Sequence, residues 1–357
     1  MSTNVATEYS AGIILHRVAL SASRKVALSE EGQEFTYSEL ASMALGWMEV
    51  FEKSYAENGC TAVSYVAPSP IDQIASTWGA LLSRCPLALG NGNGFDDPEW
   101  LQSIRRPIST PQLPYPSHRA IISPQPGDAP ALLFPVLDGG NDAVVWTQKA
   151  LALSWAICSP PPGSVGVHHR PLSGPSTWSS SFGVFVGRGR AVVKLFAPKR
   201  AWLEALDGPG VTDVHLTIDE AHDLGGLCDG ANRSVRRLFV WNKAAIDRDV
   251  LSALTARFTS ASVSRILESP SGPVTVATFD ELTARGMDWI GHPVLGTELT
   301  VGGTRGSSTL IASSICGGSI VSRAAQNVPE NARATCRWQV RLDSHSSIFL
   351  EKDGAYD

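Results

Sequence analysis

The spacing of apolar residues changes repeatedly along the chain, and each change predicts a switch between helix and strand. Between Ser38 and Phe51 the apolar positions follow a helical period. Ala62–Ala67 and Val165–His169 are short apolar segments of strand length. Because segments of both kinds alternate along most of the chain, the pattern predicts an α/β protein in which helical crossovers join the strands.

Two further apolar segments, Ala131–Phe134 and Ala143–Trp146, flank the turn sequence Asp138-Gly139-Gly140-Asn141-Asp142. Strand-like segments around such a turn predict a β-hairpin. A glycine turn of this kind can wrap backbone N–H groups around phosphates, usually with the help of a lysine. This turn carries two aspartates and no lysine, so it would repel phosphate. We interpret it as a structural hairpin.

The length of 357 residues exceeds the size at which a single hydrophobic core usually stops growing. We expect a first α/β subdomain over residues 1–110, a proline-rich linker over residues 111–130 and a second α/β subdomain over residues 131–285. Residues 286–357 predict a small β-rich subdomain. Its expected strands are Thr297–Val301, Ser307–Ala312, Gly318–Val321, Trp338–Leu342 and Ser347–Leu350.

Composition and charge narrow the function classes. Hydrophobic residues make up 43% of the chain, charged residues 18%, and the net charge is −5, as in an ordinary globular protein. No basic block is present, so neither nucleic acid nor a membrane is an expected partner. The six cysteines form no C-x-x-C pair, which argues against a structural zinc site. Without a secretion signal or a membrane-spanning apolar run in the sequence, the cytoplasm is the expected location.

The residues that could carry chemistry lie around one predicted strand–helix junction. His168 and His169 end the strand, and the next helix opens with a run of hydroxyl side chains. A histidine beside a hydroxyl is the minimum arrangement for an activated nucleophile in acyl transfer or hydrolysis. A carboxylate could orient the imidazole, with three available: Asp213, Asp219 and Glu220. The catalytic candidates are His168, His169, Ser176 and Ser179.

A structural interpretation of the same residues stays open. Adjacent residues on a strand point to opposite faces, so at most one of His168 and His169 faces a common pocket. Serine and threonine at a helix start commonly cap the helix or stabilise a turn.

Two other patterns are weak. The sequence Gly226–Gly230 formally matches a G-x-C-x-G nucleophile elbow, but the expected order of a strand before and a helix after is reversed here, which predicts a plain loop. Asp219 and His222 have the spacing of a metal-binding pair, but no second ligand cluster accompanies them, so no metal is expected. Cys158 is expected to be a buried, small apolar residue.

Several short motifs occur in the order found in one known superfamily. Ala27–Gly32 with Phe35–Leu40 is similar to its opening A-L-x-x-x-G-x-x-(L/F)-T-Y-x-E-L, and Trp78–Leu89 to the helix and strand that follow. Ser262–Thr275 is similar to its acceptor region, and Trp289–Thr297 to its I-G-x-P-x-x-x-(T/V) segment. Arg341–Asp343 with Ile348–Leu350 resembles the strand pair before its hinge.

On these motifs the sequence resembles the adenylate-forming superfamily, which includes acyl- and aryl-CoA ligases, nonribosomal peptide adenylation domains and luciferases. The resemblance implies an α/β fold, namely the large N-terminal domain of these enzymes. That domain has two βα-layered subdomains and a small β-rich one. The sequence ends at Asp357, where the family's mobile C-terminal domain and its second catalytic lysine would begin, so that domain is expected to be absent.

The same resemblance shows where this chain departs from the family. In the family's phosphate loop a lysine stands where this chain has Asp142, and its magnesium-binding glutamate aligns with Pro270 or Ser271, with Glu268 out of register. The glycine pair beside the adenine aligns with Val240–Asn242, and the ribose-binding aspartate falls near Trp338. Stabilising charge on phosphorus needs cationic groups and oriented N–H donors. We therefore expect neither ATP nor magnesium as a cofactor, and no acyl-adenylate formation.

The region that corresponds to the acyl or aryl pocket of the family still carries residues suited to binding a substrate. The helix near Ser176–Val186 resembles the substrate-pocket helix of the family, and Trp241 would fill space that the purine needs. The candidate substrate-binding residues are Ser173, Trp178, Phe182, Trp241 and Ser269.

The leading hypothesis is therefore an ATP-independent enzyme of specialised-metabolite biosynthesis. It would hydrolyse or transfer a small acyl or aryl group held as an ester or thioester, on CoA or a carrier protein. One alternative is a non-catalytic relative that binds an acyl compound or a partner enzyme. Another is a residual ligase completed by a separately encoded C-terminal domain.

Overall fold

The computed structural model describes residues 10–58, 62–64, 67, 69–89, 122, 125–135, 142–170, 172, 175–194, 199–206, 210–225, 231–242, 245–269, 272–295, 297–304, 307–314, 319–322, 334–342 and 348–350. It describes side chains for all of these except 135, 142, 175, 176, 199, 200, 225 and those from 300 onward. The predicted linker, residues 111–130, and the glycine turn lie mostly outside these ranges, so the subdomain limits stay predictions.

Helices and strands alternate as the apolar spacing predicts. The helices described are α1 (Ala11–Ser21), α2 (Tyr37–Asn58), α3 (Pro70–Leu82), α4 (Gln148–Cys158), α5 (Pro175–Val186), α6 (Lys199–Leu206), α7 (Ile218–Gly225), α8 (Arg248–Arg257) and α9 (Phe279–Arg285). The strands of the first two sheets are β1 (Val26–Glu30), β2 (Gln33–Thr36), β3 (Val63–Ser64), β4 (Leu87–Ala88), β5 (Pro130–Pro135), β6 (Asp142–Thr147), β7 (Val165–His168), β8 (Arg190–Val193), β9 (Asp213–Thr217), β10 (Arg237–Asn242), β11 (Ser262–Ser269), β12 (Gly272–Thr278) and β13 (His292–Pro293). The remaining strands are β14 (Thr297–Thr304), β15 (Ser307–Ser314), β16 (Ser319–Ser322), β17 (Ala334–Leu342) and β18 (Ile348–Leu350).

A nine-stranded sheet is the centre of the molecule, with the order β13-β12-β11-β10-β9-β7-β8-β1-β2. From β1 to β11 the neighbouring strands pair in parallel, and antiparallel strands close both edges. Parallel pairing needs a crossover between successive strands, which the intervening helices supply. The carboxyl ends of β7, β9, β10 and β11 therefore lie at one edge of the sheet.

The predicted hairpin around the glycine turn is present. β5 and β6 pair antiparallel, with Leu133 opposite Val145 and Phe134 opposite Val144. They belong to a five-stranded sheet of order β16-β6-β5-β4-β3. The turn between them, with Asp138, lies outside the described residues.

The C-terminal strands divide between two sheets. β14, β15, β17 and β18 form a separate four-stranded sheet, as the prediction of a β-rich segment requires. The expectation that all five tail strands belong to that segment is wrong for one of them, because β16 pairs antiparallel with β6, placing Ile320 opposite Val144. Apolar segments reveal a strand but not its distant partner.

Two hydrophobic cores cover the two faces of the nine-stranded sheet. One contains residues from α1 to α5 and the five-stranded sheet, including Trp47, Trp78, Trp155 and Phe182. The other contains residues of β9 to β11 and the helices α6 to α9, including Leu216 and Leu251. Among the described residues, no helix combines the length and apolarity needed to cross a membrane.

Threonine–glutamate pairs start three of the helices that follow strands. The Thr36 and Glu39 side chains each bind the backbone N–H of the other residue, at 3.2 and 2.7 Å. This reciprocal capping satisfies two N–H groups at a helix start that have no partner within the helix. It explains why α2 begins at Tyr37, one residue before the helical spacing that starts at Ser38. The same arrangement begins α7 at Thr217 and α9 at Thr278.

Candidate ligand site

His168 ends β7 and points toward α5. Its Nδ1 contacts the hydroxyl of Ser181, and both residues are buried. Burial, reinforced by the charges of His169 and Arg170, lowers the pKa of His168 to about 3. The imidazole is therefore neutral at physiological pH, because an apolar environment disfavours the charged form. Its Nε2 is fully enclosed and has no hydrogen-bond partner among the described residues.

The side chain of His169 lies on the opposite face of the sheet. Its Nε2 lies 2.8 Å from Oε1 of Glu220, and its ring stacks on Trp202 at 4.4 Å between centroids. Burial alone would raise the pKa of Glu220, but the hydrogen bond from His169 and the nearby Arg170 guanidinium lower it to about 2. Glu220 is thus a carboxylate held between His169, Arg170 and the N–H of Thr217.

The hydroxyl contact and the carboxylate contact of a catalytic triad are both present, but they are made by different histidines. Ser181 contacts His168, whereas Glu220 contacts His169, and the two imidazoles leave β7 on opposite faces. A hydroxyl–imidazole–carboxylate relay needs one imidazole to contact both partners. The described residues do not assemble such a relay.

A third histidine, His215, lies beside His168. Gly166 of β7 pairs with Asp213 of β9 in parallel, so the residues two positions further on, His168 and His215, lie at the same level. They also share a face, since side chains alternate along both strands. Phe239 pairs with His215 from β10, and the two rings stack at 4.8 Å.

Trp241 fills the carboxyl end of β10. Its indole is buried against Cys158 and Ile266, and its Nε1 donates a hydrogen bond of 3.0 Å to Nδ1 of His215. Burial, with the charges of Arg170, Arg237 and His169, lowers the pKa of His215 well below its usual value. His215 is therefore neutral as well.

Asp213, one of the carboxylates considered as a triad member, has a structural role instead. It pairs with Arg237, which also donates to the carbonyls of Cys158 and Ser159 at 3.2 and 3.1 Å. These carbonyls end α4 and have no partner within the helix. The pair therefore attaches the end of α4 to the sheet.

Aromatic rings continue from α5 toward the five-stranded sheet. Phe182 stacks on Trp155 at 5.4 Å and on Trp178 at 5.1 Å, and Trp178 contacts Phe134 edge-on. The indole Nε1 of Trp178 and the hydroxyl of Ser179 are both enclosed, and neither has a hydrogen-bond partner in the part of the chain that the structure describes.

The other sequence candidates are dispersed. Ser269 is buried and its hydroxyl donates to the carbonyl of Gly272, in the turn from β11 to β12. Ser173 and the Ser176 side chain lie outside the described residues, as does Gly226–Gly230. Within the described ranges, no three His, Cys, Asp or Glu side chains are placed to hold a metal ion.

The sequence predictions located part of this arrangement. Glu220 was one of three carboxylates considered, and the alternation of His168 and His169 is as expected. Ser181 contacts His168, whereas the candidates favoured from sequence were Ser176 and Ser179. His215 was not anticipated; its signal is a histidine in the otherwise apolar stretch Val214–Leu216.

Comparison with known proteins gives a clear result for the fold. No protein-family model and no curated protein matches the sequence. The N-terminal subdomain of NpsA from Klebsiella oxytoca superimposes with a TM-score of 0.74 at 11% identity, covering 96% of this chain and 100% of that chain.

Two longer proteins are also similar. O-succinylbenzoate coenzyme A synthetase (MenE) from Bacillus subtilis has a TM-score of 0.73 at 13% identity, covering 95% of this chain and 78% of the synthetase. PA1221, a nonribosomal peptide synthetase protein with adenylation and PCP domains, has a TM-score of 0.76 at 12% identity, covering 98% of this chain and 69% of that protein. The α/β fold implied by the sequence motifs is confirmed: the chain has the fold of the N-terminal domain of adenylate-forming enzymes.

Proposed function

We propose that this protein binds a small acyl or aryl compound and neither adenylates nor hydrolyses it. The observation that carries the proposal is the separation of Ser181–His168 from Glu220–His169 on opposite faces of β7. This arrangement favours the binding alternative over the acyl-transfer enzyme that the sequence suggests first.

The basicity of His168 supports the same choice. A general base is most effective when its pKa lies near the working pH. With a pKa of about 3, His168 has little capacity to take the proton of a serine hydroxyl. Among the described residues, no carboxylate contacts it to stabilise the imidazolium that would form.

The proposed ligand class comes from the similar structures. The NpsA subdomain has been solved in complex with 3-hydroxyanthranilyl-AMSN, 3-hydroxybenzoyl-AMSN and anthranilyl-AMSN, and MenE with the product analogue OSB-NCoA. We carry over only the aryl or acyl part, free or attached to CoA or a carrier protein. His215, with Phe239 and Trp241 beside it, lies near the carboxyl ends of the parallel strands, where ligands of open α/β sheets commonly bind.

We further propose that ATP and magnesium are not cofactors. The indole of Trp241 packs against Cys158 and Ile266 at the strand end that the sequence aligns with the adenine position. A purine could enter this space only if that indole moved out of its apolar contacts.

The direct test measures binding and turnover on the same samples. The protein is titrated calorimetrically with benzoyl, anthranilyl and short-chain acyl N-acetylcysteamine thioesters, and the mixtures are then analysed by mass spectrometry. We expect saturable binding of at least one compound and no product beyond the spontaneous rate. Failure of every compound to bind would contradict the proposal.

A hydrolase is the second candidate, favoured by the contact between Ser181 and His168. Hydrolysis that exceeds the spontaneous rate and is lost in Ser181→Ala would establish it. The Ser180→Ala variant is the matched control, because Ser180 is the adjacent hydroxyl and donates only to the Thr177 carbonyl of its own helix.

A further inference from the structure

The hydrogen bond between Trp241 and His215 determines which nitrogen of His215 carries the proton. An indole N–H can only donate, so Nδ1 of His215 must accept with its lone pair. The imidazole is neutral, because burial and three nearby cationic or ionisable groups oppose its protonation. A neutral imidazole carries one proton, which is therefore on Nε2. Trp241 thus makes His215 an Nε2–H donor.

This donor has no acceptor. Nε2 of His215 forms no hydrogen bond in the described part of the chain, and it is not among the fully enclosed polar atoms there, although the residue is only 5% exposed. A ligand atom can therefore reach this N–H, and a bound acceptor would take the place of water on it. Stacking on Phe239 and the bond to Trp241 hold the ring in one orientation.

The charges near His215 are balanced in pairs. Arg170, which donates to the His215 carbonyl, lies 3.8 Å from the Glu220 carboxylate. Arg237 is paired with Asp213. A free carboxylate entering this site would lose hydration without gaining an uncompensated cation. An uncharged acceptor has no such cost.

We propose that His215 donates its Nε2–H to the carbonyl oxygen of an uncharged acyl or aryl ester or thioester, so that the protein distinguishes activated acyl groups from free acids. The inference rests on the proposed binding function and names its ligand class and one recognition residue. Trp241 acts as a positioning residue through the tautomer of His215.

Three probes, two of them closely similar in size, test the ligand class in calorimetric titrations. They are S-benzoyl-N-acetylcysteamine, the thioether S-benzyl-N-acetylcysteamine, which lacks the carbonyl, and benzoate. We expect the thioester to bind about 10-fold or more tightly than either of the others. Relative to the thioether this is the effect of one hydrogen bond, and relative to benzoate it reflects the cost of desolvating a charge. Equal binding of thioester and thioether, or tighter binding of benzoate, would overturn the inference while leaving the binding function intact. Failure of all three to bind would contradict the binding function itself.

Variants then assign the effect to His215. The His215→Phe/Trp241→Phe double variant leaves no unpaired indole and keeps a ring stacked on Phe239, so we expect it to fold and to bind thioester and thioether equally. His222→Gln, at an exposed position on α7, is the control and should keep the preference. A double variant that still prefers the thioester would contradict a role for His215.

The tautomer can be measured without any ligand. Long-range nitrogen–proton NMR correlations of histidine rings distinguish Nε2–H from Nδ1–H. We expect a single Nε2–H signature for His215 in the wild-type protein and a mixture of tautomers in Trp241→Phe. An Nδ1–H signature in the wild type would refute the proposed donor.

Discussion

At the scale of single residues, two buried neutral histidines should make the fold sensitive to acid. The folded-state pKa values of His168 and His215 lie below the 6.5 of an unfolded histidine. Below that pH the unfolded chain binds protons that the folded chain excludes. The contribution of these histidines to the free energy of unfolding is therefore fully present above pH ~6.5 and falls as the pH drops. For His168, with a pKa of about 3, the expected loss between about pH 8 and about pH 5 is about 2 kcal/mol. His215 adds to it in the same direction.

Urea denaturation at the two pH values measures this loss. The His168→Leu/Ser181→Ala double variant removes the titrating ring together with its partner and should lose less stability on acidification. The Ser180→Ala variant, which removes a hydroxyl of α5 but no ionisable group, is the control and should keep the wild-type pH dependence. An unchanged pH dependence in the double variant would show that His168 is not the group responsible.

The contacts of single residues could be predicted from the sequence only where they depend on neighbouring positions in the chain. Strand alternation alone placed His168 and His169 on opposite faces. Ser181 could not be chosen over Ser179, because the rotation of α5 about its own axis is set by packing against the sheet. His215 was missed because its partner, Trp241, is 26 positions away on another strand.

At the scale of the elements, close helix contacts depend on glycine at particular positions. A Cβ added to Gly79 of α3 would lie 2.6 Å from the Trp47 Cβ and 2.7 Å from the Ala44 carbonyl oxygen of α2. We expect Gly79→Ala to destabilise the protein by about 1–3 kcal/mol through overpacking, despite the better helix propensity of alanine. Gly183→Ala on α5 meets its nearest atom at 3.5 Å and should be neutral or stabilising. Thermal unfolding of the two variants checks the difference, and equal effects would contradict the packing argument.

Glu220 connects a helix start to the opposite face of the sheet. It caps α7 at Thr217 and holds His169, whose side chain is only 5% exposed, whereas Glu281 caps α9 in the same way and holds the exposed His292. We expect Glu220→Ala to cost about 2–3 kcal/mol, since His169 would lose its only hydrogen-bond partner among the described residues. Glu281→Ala should cost about 1 kcal/mol or less. Chemical denaturation measures both, and a loss for Glu220→Ala no larger than that for Glu281→Ala would contradict this role of the His169 contact.

At the scale of the whole molecule, the sequence predicted the order of the elements better than their distant pairing. The α/β alternation and the β5–β6 hairpin depend on local spacing and turn residues, and both are present. The transfer of β16 to the five-stranded sheet joins positions far apart in the chain, so no local pattern could indicate it. The opposite roles of His168 and His169 likewise became clear only once the helices on each face were placed.

The overall arrangement also predicts which ligand will stabilise the folded chain. A ligand that binds only the folded state raises its stability by about 2.7 kcal/mol at 100 times its Kd. If the protein binds an uncharged aryl thioester and has no nucleotide site, S-benzoyl-N-acetylcysteamine should raise the melting temperature by a few degrees, while magnesium and ATP should leave it unchanged. Scanning calorimetry of the full chain measures both, and Trp241→Gly tests whether the indole is what excludes the nucleotide. Stabilisation of the wild-type protein by ATP would restore the ligase as the better hypothesis. Stabilisation of the glycine variant alone would show that a single side chain, in contact with Cys158 and Ile266, separates this chain from nucleotide binding.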